Sequence, residues 1–139
     1  MAENTIQFEL VSPEERLMDE PATMVVLPGV EGDIGVLSGH SPLVSTIRPG
    51  VVNIYKQDMD KITDQLFIAG GLADVTAERV TLLAEEATPL TQIDASETTT
   101  AIETLAKDMD SAATDIEKKQ YEKKIAILEA KLDALKQVA

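Results

Sequence analysis

The sequence predicts an α+β protein, β first and then α: an N-terminal antiparallel β-sandwich followed by a C-terminal antiparallel αα-hairpin. Three observations carry this expectation. All 7 glycines and all 6 prolines lie before residue 90, so the remaining 50 residues contain no helix breaker. Over the first part, short β-branched and aromatic runs recur between turn signals without helical periodicity between them. After Pro89 the apolar residues fall at spacings of three and four. The boundary is therefore set at Pro89, with a sandwich domain over residues 1–89 and a hairpin domain over residues 90–139. Charge divides at nearly the same place, with a net −10 over residues 1–90 and −3 over residues 91–139.

In chain order, Ile6, Phe8 and Leu10 alternate with Gln7 and Glu9, the period-2 pattern of a half-buried strand. Met24-Val-Val-Leu27 is an apolar run closed by Pro28-Gly29, and residues 28–43 are so dense in Gly and Pro that they read as a tight, multiply turned loop. Arg48-Pro49-Gly50 signals a type II turn into the β-branched run Val51-Val-Asn-Ile-Tyr-Lys56. Residues 57–64 read as a polar hairpin loop. Leu66-Phe-Ile-Ala69 then runs into Gly70-Gly71, and Val80-Thr-Leu-Leu-Ala84 supplies a further strand.

Asp94-Ala-Ser-Glu97 forms a capping-box pattern, after which Ile102, Leu105, Ala106 and Met109 recur at helical spacing. Thr98, Thr99 and Thr100 weaken this helix through their restricted χ1. Asp108 and Asp110 sit at its negative dipole end and favour a break there. Thr114-Asp-Ile-Glu117 repeats the capping pattern and opens a helix of about 24 residues, roughly 36 Å long. Tyr121, Ile125, Leu128, Leu132 and Leu135 form its stripe, and Asp115–Lys119 is an expected helical pair. The stripe lasts under three heptads, so it is expected to pack back on Ile102, Leu105 and Met109.

Composition removes several function classes. The 12 Lys+Arg against 25 Asp+Glu give −13, the wrong sign for a nucleic-acid binder. There is no cysteine for a disulfide, zinc ribbon or thiol nucleophile, and a single histidine leaves little for a metal site. The longest apolar runs are only a handful of residues, which excludes a membrane-spanning helix. The start, Met-Ala-Glu-Asn-Thr, lacks a basic signal region, so a soluble intracellular protein is expected. No P-loop lysine or dinucleotide fingerprint occurs. His40 lies between Ser38 and Ser41 with Glu31 and Asp33 upstream, which imitates a hydrolase triad but lacks the nucleophile elbow. Neither catalytic residues nor metal ligands are expected. Lys118, Lys119, Lys123 and Lys124 make a basic face, read as solvated surface or as a docking face for an acidic partner. These residues describe a non-catalytic interaction or regulatory module. A free-standing acidic adaptor or chaperone-like module is the alternative reading.

The stretch Glu31-Gly-Asp-Ile-Gly-Val-Leu-Ser-Gly-His-Ser-Pro-Leu43 closely resembles the signature of the epsilon subunit of bacterial F-type ATP synthase, the counterpart of the mitochondrial delta subunit. Phe8-Glu-Leu-Val-Ser12, Ile47-Arg-Pro-Gly50, Ala69-Gly-Gly-Leu72 and Val80-Thr-Leu-Leu-Ala84 match further family segments in order. The resemblance implies a non-catalytic central-stalk subunit that joins the gamma subunit to the ring of c subunits, with transient contact to the alpha/beta catalytic head. It implies that Glu31, Gly32 and Asp33 face the c-ring and that His40, Ser41, Pro42 and Leu43 face gamma. It further implies that the hairpin can inhibit ATP hydrolysis, with Lys118, Lys119, Lys123 and Lys124 as regulatory contacts. Membrane association would be peripheral, through the complex alone, at the cytoplasmic face of the bacterial inner membrane, or at the matrix side for a mitochondrial delta subunit. Nucleotide-binding relatives carry Ile/Leu-Asp-x-x-Arg-Ala. Here Ile93 and Asp94 fit that pattern, but Glu97 and Thr98 stand at the Arg and Ala positions, so no cofactor is expected.

Overall fold

The computed structural model describes residues 5–138. Residues 1–89 and 90–139 form two compact units. The first contains ten strands: β1 Ile6–Val11, β2 Arg16–Ala22, β3 Met24–Gly29, β4 Gly32–Val36, β5 Leu43–Ile47, β6 Gly50–Tyr55, β7 Asp64–Ile68, β8 Gly71–Val75, β9 Arg79–Ala84 and β10 Ala87–Pro89. They follow one hydrogen-bonded path, β10-β7-β6-β3-β5-β8-β9-β1-β2, with β4 paired to β3. The path narrows to a single pair, Gly29↔Ile47, between β3 and β5. There it folds over, and the two inner faces meet in one core that includes Val25, Ile54 and Ile68 from one side and Phe8, Val75 and Leu82 from the other. Burial of alternate side chains from both sheets supplies the driving force of such a sandwich. All pairings are antiparallel except β1 with β9, where Phe8↔Val80 and Leu10↔Leu82 run parallel.

Two local expectations are corrected. The glycine-rich stretch is not turns throughout, because β4 pairs along β3 from Val25↔Val36 to Gly29↔Gly32. Ile34 and Val36 keep the strand alternation, and Gly35 between them occupies an exposed position where a side chain is dispensable. The Arg48-Pro49-Gly50 turn is not type II, since that turn needs positive φ at its glycine and Gly50 does not have it. Gly50 instead opens β6 against Pro28, whose Cβ would lie 3.0 Å from an added methyl.

Lys56, just after β6, ties three strands together. Its Nζ lies 2.5 Å from Glu20 Oε2 on β2 and 2.9 Å from Asp64 Oδ2 on β7. The bond to Glu20, and then that to Asp64, holds the ammonium's pKa above its ordinary value. A raised lysine stabilises the fold fully below the ordinary titration, about pH 10.4, and loses that contribution as pH climbs through the raised value. Thermal melts from pH 8 to 11.5 should therefore fall above about pH 10.4, and Glu20→Gln should flatten that limb.

The second unit opens with a short 3-10 helix, Leu90–Gln92, followed by helices α1 Ala95–Asp110 and α2 Asp115–Val138. Asp94 caps α1 by accepting from the Glu97 N–H at 2.9 Å. The hydroxyls of Thr98, Thr99, Thr100 and Thr104 donate to carbonyls four residues back, an arrangement that slightly destabilises and bends helices. α1 stops at Asp110, where the Ser111 N–H donates to the Asp108 carbonyl at 3.1 Å. Thr114 caps α2 at 3.1 Å through the Glu117 N–H, and the Glu117 carboxylate reaches back to the Ala113 N–H at 3.1 Å. α1 packs along α2, with Ile102, Leu105, Met109, Ile125, Leu128 and Leu132 half-buried. Asp115 and Lys119 form no ion pair, so that expected helical pair is corrected.

Candidate docking loop

The β3–β4 hairpin turns through Val30 and Glu31, and Gly32 at φ 138° gives the backbone a conformation that side chains disfavour. A turn of this kind would be loose on its own, but it is clasped to the β5–β6 turn. The Arg48 guanidinium donates to the Gly29 carbonyl through Nη1 and to Asp33 Oδ1 through Nη2 at 2.7 Å. Two backbone bonds reinforce the clasp, Arg48 N–H to the Pro28 carbonyl at 2.9 Å and Val30 N–H to the Thr46 carbonyl at 3.2 Å. The Arg48–Asp33 ion pair is 42% and 63% exposed, so its own contribution is at most about 1 kcal/mol. Its effect is positional: it neutralises Asp33 and leaves Glu31 as the loop's uncommitted carboxylate.

Beside the loop lies an open groove of 510 Å3, walled by residues 29–34 on one side and residues 43–46 on the other. The groove thus gathers Glu31, Gly32, Asp33 and Leu43, while His40, Ser41 and Pro42 stand outside its lining. Gly39, at φ 88°, anchors that second segment by donating to the Ala77 carbonyl at 2.8 Å. His40 Nδ1 sits 2.7 Å from the Ser41 carbonyl, so this ring nitrogen is engaged with backbone rather than with a serine hydroxyl. The triad-like spacing around His40 therefore does not become a nucleophile–base pair. Val30 and Val44 were not singled out by sequence reasoning. Arg48 entered it only within the turn segment Ile47-Arg-Pro-Gly50, with no clasping role assigned.

On the second unit, Ile93 precedes the cap Asp94, and the Glu97 carboxylate is exposed in the first turn of α1. Thr98 is buried and donates to the Asp94 carbonyl at 2.7 Å. Lys118, Lys119, Lys123 and Lys124 are all exposed on the first half of α2, and Lys124 Nζ lies 6.0 Å from the centroid of the Tyr121 ring.

The architecture is that of a two-part protein, a β-sandwich with a clasped glycine-rich loop joined to a helical hairpin. The family described as ATP synthase, Delta/Epsilon chain, beta-sandwich domain, matches residues 5–90, and the chain belongs to that family. It is 41% identical over 133 residues to the ATP synthase epsilon chain of Rhodospirillum centenum, covering 94% of this chain and 91% of that one. It is 42% identical over 136 residues to the epsilon chain of Rhodospirillum rubrum, covering 98% and 99%. Among solved structures, a chain of the Euglena gracilis mitochondrial ATP synthase superposes with a TM-score of 0.79 at 29% identity, over 94% of this chain and 81% of that one. A chain of the Tetrahymena thermophila central stalk and c-ring shares the fold, with a TM-score of 0.62 at 10% identity.

Proposed function

We propose that this chain is a non-catalytic central-stalk subunit of a proton-translocating F-type ATP synthase, joining the gamma subunit to the c-ring. The observation that carries this reading is similarity to named epsilon chains over nearly the whole length, 41% identity across 94% of the chain. The clasped loop supports it, because a coupling element between rotating parts has to keep its shape under load. In this reading Glu31, Gly32 and Asp33 meet the polar loops of the c-ring, and residues 40–43 turn towards gamma. The exposed lysines 118, 119, 123 and 124 give the hairpin a cationic face for acidic surfaces of the alpha/beta head, through which it restrains ATP hydrolysis. No helix among the described residues is long and apolar enough to cross a membrane. In this reading the chain meets the membrane through the complex alone. Gentle detergent extraction tests the reading. The chain should co-purify with the synthase in a fixed ratio to gamma, and its recovery free of gamma and the c-ring would overturn the proposal.

Nucleotide binding is not part of this function. A carboxylate at Glu97 repels the phosphates that an arginine there would pair with. The buried Thr98 hydroxyl is already committed to the Asp94 carbonyl. Calorimetric titration with Mg-ATP should show binding weaker than about 1 mM, or less than about 4 kcal/mol. Micromolar heat would contradict this.

A further inference from the structure

The chain has no cysteine and no tryptophan, so its thioethers are the side chains most readily oxidised by a peroxide. Of its 5 methionines, Met1 lies outside the described residues. Met18, Met24 and Met109 are half-buried, Met18 against the core. Met59 alone among the described methionines is exposed, at 52%. It stands at the tip of the β6–β7 loop, residues 56–63, whose base is fixed by hydrogen bonds. The Thr63 N–H donates to the Ile54 carbonyl at 2.8 Å, and the Lys56 N–H to Thr63 Oγ1 at 3.0 Å. Asp58 Oδ1 then accepts from the Asp60 and Lys61 N–H groups at 2.9 Å each, which folds a tight turn around Met59.

Met59 also has an apolar counterpart. With Thr23, Leu37 and Ser38 it walls an open groove of 350 Å3 between its own loop and the β4–β5 loop, residues 37–42. Leu37, 43% exposed, is the other large apolar side chain of that groove. Among the described residues no hydrogen bond or ion pair joins residues 57–62 to residues 37–42, so what draws the tip to its neighbour is apolar. We propose that Met59 is a reversible oxidation site whose co-substrate is a peroxide, and that its sulfoxide frees the loop tip from Leu37. The sulfur lone pair attacks one oxygen of hydrogen peroxide and the O–O bond breaks. The departing hydroxide takes the proton from the sulfur-bound oxygen and leaves as water, so sulfur loses two electrons and the peroxide gains them. A flexible apolar side chain thereby becomes a polar one that an apolar groove no longer holds. The same exposure admits a thiol-dependent reductase: two thiols become a disulfide, the oxygen leaves as water, and the thioether returns.

Dilute hydrogen peroxide on the full chain, followed by peptide mass mapping, tests the site. Met59 should gain an oxygen at least about fivefold faster than Met18, Met24 or Met109. Magnetic cross-relaxation between the Met59 and Leu37 methyls should be present beforehand and vanish in the sulfoxide. It should return after incubation with a methionine sulfoxide reductase and a dithiol. Met59→Leu should keep its methyl contact with Leu37 before and after peroxide. Oxidation of any of the other three as fast as Met59 would overturn the site, and a sulfoxide that the reductase leaves in place would overturn its reversibility. A methyl contact that survives in the sulfoxide, or one that peroxide abolishes in Met59→Leu, would overturn the release. None of these outcomes turns on the stalk role, so the two readings fail separately.

Discussion

Gly71→Ala is expected to cost the sandwich about 3 kcal/mol or more, against a total stability of about 5–15 kcal/mol for a domain. A methyl at Gly71 would overlap the Leu83 carbonyl oxygen and come within 3.0 Å of the Leu83 carbonyl carbon and 3.1 Å of Ala84 Cα. All three are backbone atoms of β9, so no side-chain rotation relieves the clash. Relief requires β8 and β9 to separate at Gly71↔Ala84, where β8 also pairs with β5 through Ile47↔Gly71. The melting midpoint should fall by roughly 12–24 °C for a domain of this size. Gly35→Ala is the matched control, because a methyl there meets nothing within 4 Å, and it should melt close to the parent. A Gly71→Ala variant melting within about 2 °C of the parent would contradict the close β8–β9 approach.

The strands that could be read in advance are those whose apolar residues face the core and whose polar residues do not. β1 and β9 are of this kind, with Ile6, Phe8 and Leu10 beside Val80 and Leu82. The strands that escaped were hidden for separate physical reasons. β2 is an edge strand, Arg-Leu-Met-Asp-Glu-Pro-Ala, in which only Ala22 is fully buried and the charges blunt a free edge. β4 is diluted by glycines. β5 and β8 place Val44 and Leu72 outward, which breaks the alternation that would have revealed them. Glu31 and Asp33 were legible as a motif. The Arg48 clasp was not, because its partners lie 15 and 19 residues away and the strand path alone brings them together.

A chain ending at Pro89 should fold cooperatively, and the remaining piece should not. Every residue of the core cluster lies between Ile6 and Ala84, and β10 is complete at Pro89, where it pairs with Leu66. A domain this small buries only about 60–65% of its unfolded surface, so its stability should be modest but its melt sigmoidal. Residues 90–139 have a weaker basis. The stripe is half-buried rather than buried, and among the described side chains of α2 only the small Ala134 is buried. Four threonines in α1 turn their hydroxyls onto the helix backbone, and short helices without a buried face are marginal in water. That fragment should lose helix gradually on warming. The truncated chain keeps the clasped loop with Glu31 and Arg48, so it should still assemble with the synthase and support coupled synthesis. It lacks Lys118, Lys119, Lys123 and Lys124, so ATP hydrolysis by the assembled enzyme should rise if the hairpin restrains it. Unchanged hydrolysis with intact coupling would strip the hairpin of its proposed role, whereas a broad melt with dye-accessible apolar surface would overturn the independence of the sandwich itself.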